Sequence, residues 1–424
     1  MNLPSNEPGS RIRLVHILPL AATQGVGLIC GLIGVRWSSA VVPPEALGIY
    51  GLLLSAQPLA STVTHQGLIK HVQQFWNVRT PGRSYLRPWF AAGVRPLGWL
   101  VAGLAVVTTY FAVSTCLPFP AVWWVWLVAV NLLGVVSATG FAALHSEGRY
   151  WGSFGLATVG SASRSFLPPL LVVLGGSALP MLGFGFLLHA LLFAAVAVWC
   201  HRQAWQRGSN EAGVFTTPQD YTRIFLGVGL FGWIAAAAPR WLAAQALDAT
   251  TTGYFMLATN LAMIVPATFH LLAENYFVPS LFAASRTGAG QRELYRMTVR
   301  AVATVMLGAQ VGLFCLAAVA PWLVGVVIDA RYAPATDWIL AAGGGVLATL
   351  SLPCVCHFLA AIGRQSSCTY FGAISAGLRL AVLATLAAAG HTEAFRNGLC
   401  LLPWLTLAVD WWLVRRLTTS LLPT

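Results

Sequence analysis

The sequence predicts an all-α integral membrane protein, with twelve transmembrane helices in two parallel, pseudo-symmetric six-helix lobes around a central cavity. Three observations carry this expectation. The first is composition: 57% of residues are hydrophobic, 8% are charged and the mean hydropathy is +0.73. A soluble domain carries roughly 25% charged residues, so this much apolar surface needs a bilayer around it. The second is that the apolar residues fall in continuous runs near the ~20 residues that span a membrane as a helix. Barrel strands would instead alternate over shorter runs. The third is an echo within the chain. Shifted by 204 residues without gaps, RWLAAQALDATTTGY (240–254) falls on RWSSAVVPPEALGIY (36–50), pairing Arg36 with Arg240, Trp37 with Trp241, Ala40 with Ala244 and Tyr50 with Tyr254. At a shift of 215, Gly148, Arg149 and Arg164 fall on Gly363, Arg364 and Arg379. Arginine is scarce here and costly in apolar segments, so matched arginines weigh more than matched leucines.

Taken in order, the spans are expected near 14–41, 46–67, 89–113, 119–144, 153–176, 179–200, 224–247, 252–280, 299–328, 336–360, 367–389 and 397–415. The basic residues between them fall on alternate sides. Arg11, Arg13, Lys70, Arg79, Arg83, Arg87, Arg149, Arg202, Arg207, Arg223, Arg286, Arg292, Arg296, Arg300, Arg364, Arg415 and Arg416 lie on the amino-terminal side, seventeen of the 24 cations. Arg331 and Arg396 lie opposite, with Arg36 at that interface. By the positive-inside rule both termini of this multi-pass chain are expected in the cytoplasm. Six spans per half return the chain to its starting side, so the halves are expected as parallel repeats. The lobes are 1–206 and 223–424, joined by a polar cytoplasmic linker, 207–222. The polar, basic start without a small-residue cleavage site predicts that the first span stays attached as a signal anchor. The same topology accounts for the net charge of +12, which in a soluble chain would suggest nucleic acid; no nucleic-acid partner is expected.

Loops this short leave no soluble domain, so function is expected within the helices. Four arginines fall inside spans: Arg95, Arg164, Arg240 and Arg379, with Arg36 near the outer end of the first. A central membrane arginine costs roughly 2.5–3.5 kcal/mol on the insertion scale. At 1.5 Å per residue, Arg164 and Arg379 lie roughly 22 Å beyond Arg149 and Arg364, and Arg240 roughly 25 Å beyond Arg223, in the outer half of the bilayer. Arg95, about 12 Å past Arg87, is shallow enough to snorkel. Such arginines either pair with acids or carbonyls between helices or line a water-filled cationic cavity that receives an anion. Acids are few: Glu274 and Asp410, toward the cytoplasmic face, and, at outer ends, Glu45, Asp248 and Asp329, with Asp248 within reach of Arg240. Guanidinium suits phosphate because its planar donors bind two oxygens at once.

The second span carries Gln57, Ser61, Thr64 and His65 on one face, and the eighth carries Asn260, His270 and Glu274. These are either polar faces of the cavity or polar helix packing; His270 and Glu274, one turn apart, are also a candidate proton-sensitive pair. Pro19, Pro58, Pro168, Pro169, Pro266 and Pro353 interrupt spans as bends or kinks. The eight cysteines are scattered, and Cys354 with Cys356 has no metal or redox spacing. No catalytic residue, metal or cofactor is expected.

Arg36, the Pro43-Pro44-Glu45-x-x-Gly48-x-Tyr50 run, Gly67, RYAPA (331–335) and AIGR (361–364) resemble an oligosaccharide-lipid flippase of the multidrug/oligosaccharidyl-lipid/polysaccharide exporter superfamily, of the O-antigen or exopolysaccharide (Wzx) type. The resemblance implies a twelve-helix transporter, not an enzyme. Its substrate would be a polyprenyl-diphosphate-linked oligosaccharide, moved from the cytoplasmic to the periplasmic leaflet by alternating access. It also implies the bacterial inner membrane and its lipids as surroundings, and a polymerase and glycosyltransferases of the same pathway as partners. Peptidoglycan-precursor flippases differ in carrying two further helices. The alternatives are a drug/cation antiporter of the same superfamily, which needs buried carboxylates, and a membrane glycan polymerase or ligase, which needs a large polar outer loop.

Overall fold

The computed structural model describes residues 14–61, 69, 122–146, 149–201, 218–273 and 277–419. Among them every regular element is helical. The first half contains α1 (Leu14–Val41), α2 (Pro44–Ser61), α3 (Val122–Ser146), α4 (Tyr150–Gly175) and α5 (Ala178–Cys200). The second contains α6 (Pro218–Ala246), α7 (Ala249–Ala262), α8 (Ile264–Leu272), α9 (Val278–Arg286), α10 (Gln291–Val327), a 3-10 segment (Ala330–Trp338), α11 (Ile339–Leu347), α12 (Ser351–Ala361), α13 (Gln365–Ala388) and α14 (Thr392–Thr419). Helix occurs at eleven of the twelve expected spans; the twelfth, 89–113, lies outside the described residues, as do Gly67 and most of the 207–222 linker.

Eight helical stretches among the described residues are long and apolar enough to cross a membrane. Their outward faces carry Val125, Trp151, Phe184, Trp199, Phe314, Trp322 and Leu401, all well exposed. A water-soluble surface does not present such a belt, and hydrocarbon does not penalise it. The chain is a multi-pass membrane protein.

Four expectations shift. The eighth span is not continuous: α7 ends at Ala262 and α8 starts at Ile264, because Pro266 has no N–H for the Ala262 carbonyl four residues back. The tenth breaks between α11 and α12 for the same reason, Pro353 leaving the Thr349 carbonyl without its helical donor. Pro19, Pro58, Pro168 and Pro169 instead lie inside unbroken helices. The ninth span begins at Gln291 rather than 299, since Leu294, Thr298 and Val302 bury one stripe and carry the helix beyond its apolar stretch. The expected linker overlaps α6, whose described residues begin at Pro218.

Helices of the first half pack mostly on one another: α4 lies between α1 and α5, and α3 runs along α5. In the second half α13 packs on α6 and α14, while α11 packs on α7, α10 and α14. The halves meet chiefly along α2, which lies against α6 and α7. The turn that opens α2 recurs in the second half. Two residues separate α1 from α2, and two separate α6 from α7. At the crossing, small residues let the backbones touch. A Cβ on Gly48 would lie 3.1 Å from the Gly253 nitrogen, and one on Gly253 would overlap the Pro44 carbonyl.

One end of this contact forms a polar seam. Arg36 Nη1 donates to the Val326 carbonyl at 2.6 Å, and Arg331 Nη2 donates to the Ser39 and Ala40 carbonyls, each at 2.8 Å. Tyr332 Oη donates to the Val42 carbonyl at 2.9 Å, the Asp329 N–H to Ser39 Oγ at 3.2 Å, and Thr250 Oγ1 to Glu45 Oε1 at 2.6 Å. Deeper, Trp233 Nε1 donates to the Ser55 carbonyl at 2.6 Å. Backbone carbonyls freed where α1 and α10 end thus find donors on the opposite half.

Candidate functional site

Arg164 is an exposed residue of α4, four residues before Pro168. Its guanidinium stands over the Phe186 ring of α5, 5.8 Å from the centroid, a cation–π arrangement that holds the side chain without an acid. The ring is fixed in turn. Phe186 meets Trp126 of α3 at 5.7 Å and Tyr50 of α2 at 6.5 Å, and Trp126 Nε1 donates to the Gly183 carbonyl at 2.7 Å. One residue before Arg164, the Ser163 hydroxyl donates to the Val159 carbonyl at 2.6 Å. Its oxygen is left to accept from His189 Nδ1–H at 2.8 Å. His189 is buried and stacks on Phe193, 5.8 Å between centroids. Sequence reasoning passed over His189; its signal was a lone histidine in an otherwise apolar span.

Arg240 comes from the other half. It is half-buried on α6, one residue after Pro239, with Nη2 3.9 Å from the Met263 sulfur of α7. Arg164 and Arg240 lie within electrostatic range of each other, and Arg164 also acts on Tyr50 and His189. Among the described residues neither arginine forms an ion pair. Asp248, expected within reach of Arg240, instead caps α7: it accepts from the Thr251 N–H at 2.9 Å and from the Thr251 hydroxyl at 2.6 Å. Those bonds hold its carboxyl below the usual aspartate range.

The other expected site residues divide. Arg36 is in the seam, bonded to Val326, rather than beside Arg164 and Arg240. Arg379 is fully buried, at 0% exposure, with Nη2 3.5 Å from Asp410 Oδ2; in this arrangement no ligand can reach it. Asp410, 1% exposed, accepts from Ser375 Oγ at 2.7 Å and from Ser351 Oγ. The repeat therefore pairs an exposed arginine, Arg164, with a buried one, Arg379. The same shift of 215 sets Ala195 opposite Asp410. Arg164 therefore lacks the repeat counterpart of the carboxylate that Arg379 faces. Of the polar faces, Gln57 is half-buried on α2, Asn260 is exposed on α7 and His270 is half-buried on α8. Arg95, His65 and Glu274 lie outside the described residues.

No protein-family model and no curated protein sequence matches the chain. Solved structures do. An inward-facing multidrug resistance MATE family transporter of the MOP superfamily superposes with a TM-score of 0.64 at 12% identity, covering 96% of this chain and 100% of the other. Lipid II flippase MurJ, in an inward closed conformation, gives a TM-score of 0.66 at 8% identity, covering 97% of this chain and 88% of MurJ. A MOP superfamily transporter from Pyrococcus furiosus, described as having reverse polarity of its binding pocket, gives 0.53 at 12% identity, covering 97% of this chain and 96% of the other. At such identities the likeness is one of fold. The chain has the fold of MOP-superfamily transporters.

Proposed function

We propose that this chain is a flippase that carries a polyprenyl-diphosphate-linked oligosaccharide across the inner membrane of a bacterium, with both termini cytoplasmic and the Arg36–Tyr332 seam on the periplasmic side. One observation carries the reading: Arg164 and Arg240, from different halves, lie within electrostatic range of each other and, among the described residues, neither forms an ion pair. Two unpaired guanidiniums repel each other, and that cost is offset when an anion lies between them. A diphosphate meets the requirement with several oxygens and a planar donor fork on either side. Its lipid tail stays in hydrocarbon while the halves rock about α2 and the outer seam parts. The transporter fold supports this, and one of the neighbours sharing it is named as a lipid II flippase. Glycosyltransferases would supply the substrate and a polymerase would consume it.

A drug/cation antiporter would offer its cargo a free carboxylate. Among the described residues the buried carboxylate is Asp410, and it is already bound to Arg379 and two serines. An enzyme would need converging acid, base or metal-ligating groups, and the converging groups here are two arginines.

The test is binding by the full chain in nanodiscs, comparing polyprenyl diphosphate with the neutral polyprenol. The diphosphate should bind at least tenfold more tightly, and the Arg164→Gln/Arg240→Gln double variant should erase that preference. Equal binding of the two lipids would sink the reading. In cells, deletion should accumulate a lipid-linked oligosaccharide, whose sugar identifies the pathway.

A further inference from the structure

We propose that Asp410 is a proton-binding site inside the second half, at which a proton and the Arg379 guanidinium are alternative partners of one carboxylate. The site lies where α13 and α14, joined through the positive-φ Gly390, run antiparallel against α12. Arg379 and Asp410 are both withdrawn from solvent, yet their approach, 3.5 Å, is longer than the 2.7–2.9 Å of a charge-assisted hydrogen bond. None of the three guanidinium nitrogens has an acceptor. A buried arginine with its donors unmet carries a large desolvation penalty. Attraction to Asp410 is all that holds it, so the loss of that one charge frees it.

The other partners of Asp410 suit a carboxyl that changes state. Ser351 of α12 and Ser375 of α13 donate to its two oxygens. A hydroxyl can also accept, so the same serines satisfy a protonated carboxyl by rotating. Backbone or guanidinium donors in those places would serve the anion alone. A cavity of about 20 Å³, lined by Ser351, Thr298 and Asp410 together with apolar Val302, Val355 and Leu407, adjoins the carboxylate, with room for a water at its polar end. The charged and titratable groups around it are Arg379 on α13, Cys356 on α12, within electrostatic range of Asp410, and Tyr295 on α10, which Arg415 of α14 influences in turn. The step balances simply. A proton moves from water to a carboxylate oxygen, the carboxylate becomes neutral, and Arg379 keeps its charge and is released from Asp410. Use of this exchange to drive transport rests on the function proposed above; the proton site itself does not.

Infrared titration of the full chain in detergent, with no ligand added, tests the site directly. As pH is lowered, the carbonyl stretch of a protonated buried carboxyl should grow in, and Asp410→Asn should remove it. Arg379→Gln should move its midpoint upward by about one pH unit or more, at least tenfold in proton concentration, because the competing cation is gone. Should Asp410→Asn fail to fold, Asp410→Glu, which keeps an acid on a longer arm, should shift the band and its midpoint. A band untouched by substitution at Asp410, or a midpoint unmoved by Arg379→Gln, overturns the proposal. Because no cargo is present, failure here is separate from failure of the diphosphate-binding test.

Discussion

Gly253 of α7 abuts the carbonyl of Pro44 at the start of α2 so closely that a side-chain carbon there would overlap both the oxygen and the carbon of that group. The obstacle is backbone, so no rotamer change relieves it. Gly253→Ala should prise α2 from α7 and weaken the seam. Overpacking of this kind costs roughly 1–3 kcal/mol, so the open state should gain about tenfold in population or more. Ser39, fully buried beneath the seam, reports the change. As Ser39→Cys in an otherwise cysteine-free chain, it should react with a membrane-impermeant thiol reagent about tenfold faster once Gly253 is alanine. Gly48→Ala, whose new carbon would meet Gly253 at 3.1 Å, should act in the same direction but less. An unchanged labelling rate in Gly253→Ala would mean that this contact does not govern closure.

Lysine and glutamine substitutions should separate charge from geometry at Arg164 and Arg240. A hydrogen bond to a charged group contributes roughly 1.5–3 kcal/mol. Arg164→Gln or Arg240→Gln should therefore lower polyprenyl diphosphate affinity about ten- to a hundredfold. Lysine keeps the charge but not the two-pronged donor set, so Arg164→Lys should recover only part of the loss. Raising salt should weaken binding by the parent more than binding by the glutamine variants. Full affinity in both glutamine variants would remove the arginines from the site.

The seam carries a pH dependence of defined sign. The Thr250 hydroxyl holds the Glu45 carboxyl below the usual glutamate range, and bonds from Arg331 do the same for Asp329. A carboxyl whose value is depressed in the folded state contributes stability above the unfolded value, about 4.3 for glutamate, and loses it as pH falls through the folded one. Thr250→Ala should therefore lower thermal stability by a constant small amount above about pH 5. The gap between parent and variant should then close in stronger acid. Glu45 is exposed and Asp329 half-exposed, so solvent screening keeps the effect small. A difference that widened in acid would contradict the assignment.

The spans were legible because bilayer thickness sets how long an apolar run must be, and α1 ends at Val41 where the run ends. The effect of each proline was not. Pro168 leaves α4 intact while Pro266 divides α7 from α8, since the outcome turns on whether neighbouring groups serve the carbonyl left without its donor. Arg164 and Arg240 were legible as scarce charge in apolar surroundings. The partner of Arg379 was not, because counting residues along the helices set Asp410 nearer the opposite face. Side chains lean toward the start of their own helix. On the antiparallel α13 and α14 this tilts Arg379 and Asp410 toward each other and narrows an axial gap that a count of residues leaves open.

Arg36 tests how far the repeat can be pressed. It is the partner of Arg240 under the shift of 204, yet its guanidinium is occupied by the Val326 carbonyl of α10, across the seam. Arg240 has only a sulfur at 3.9 Å among its hydrogen-bond contacts. A guanidinium already bonded across a closed seam has little left for a ligand, but its removal strands a carbonyl at the end of α10. Arg36→Gln should therefore leave polyprenyl diphosphate affinity within about threefold of the parent, a difference of under 1 kcal/mol, while raising labelling at Ser39→Cys. Arg240→Gln should do the reverse. Identical behaviour of the two variants in both assays would mean that the equivalence read from the sequence extends to function; opposite behaviour would mean that one repeat arginine holds the gate and the other meets the cargo.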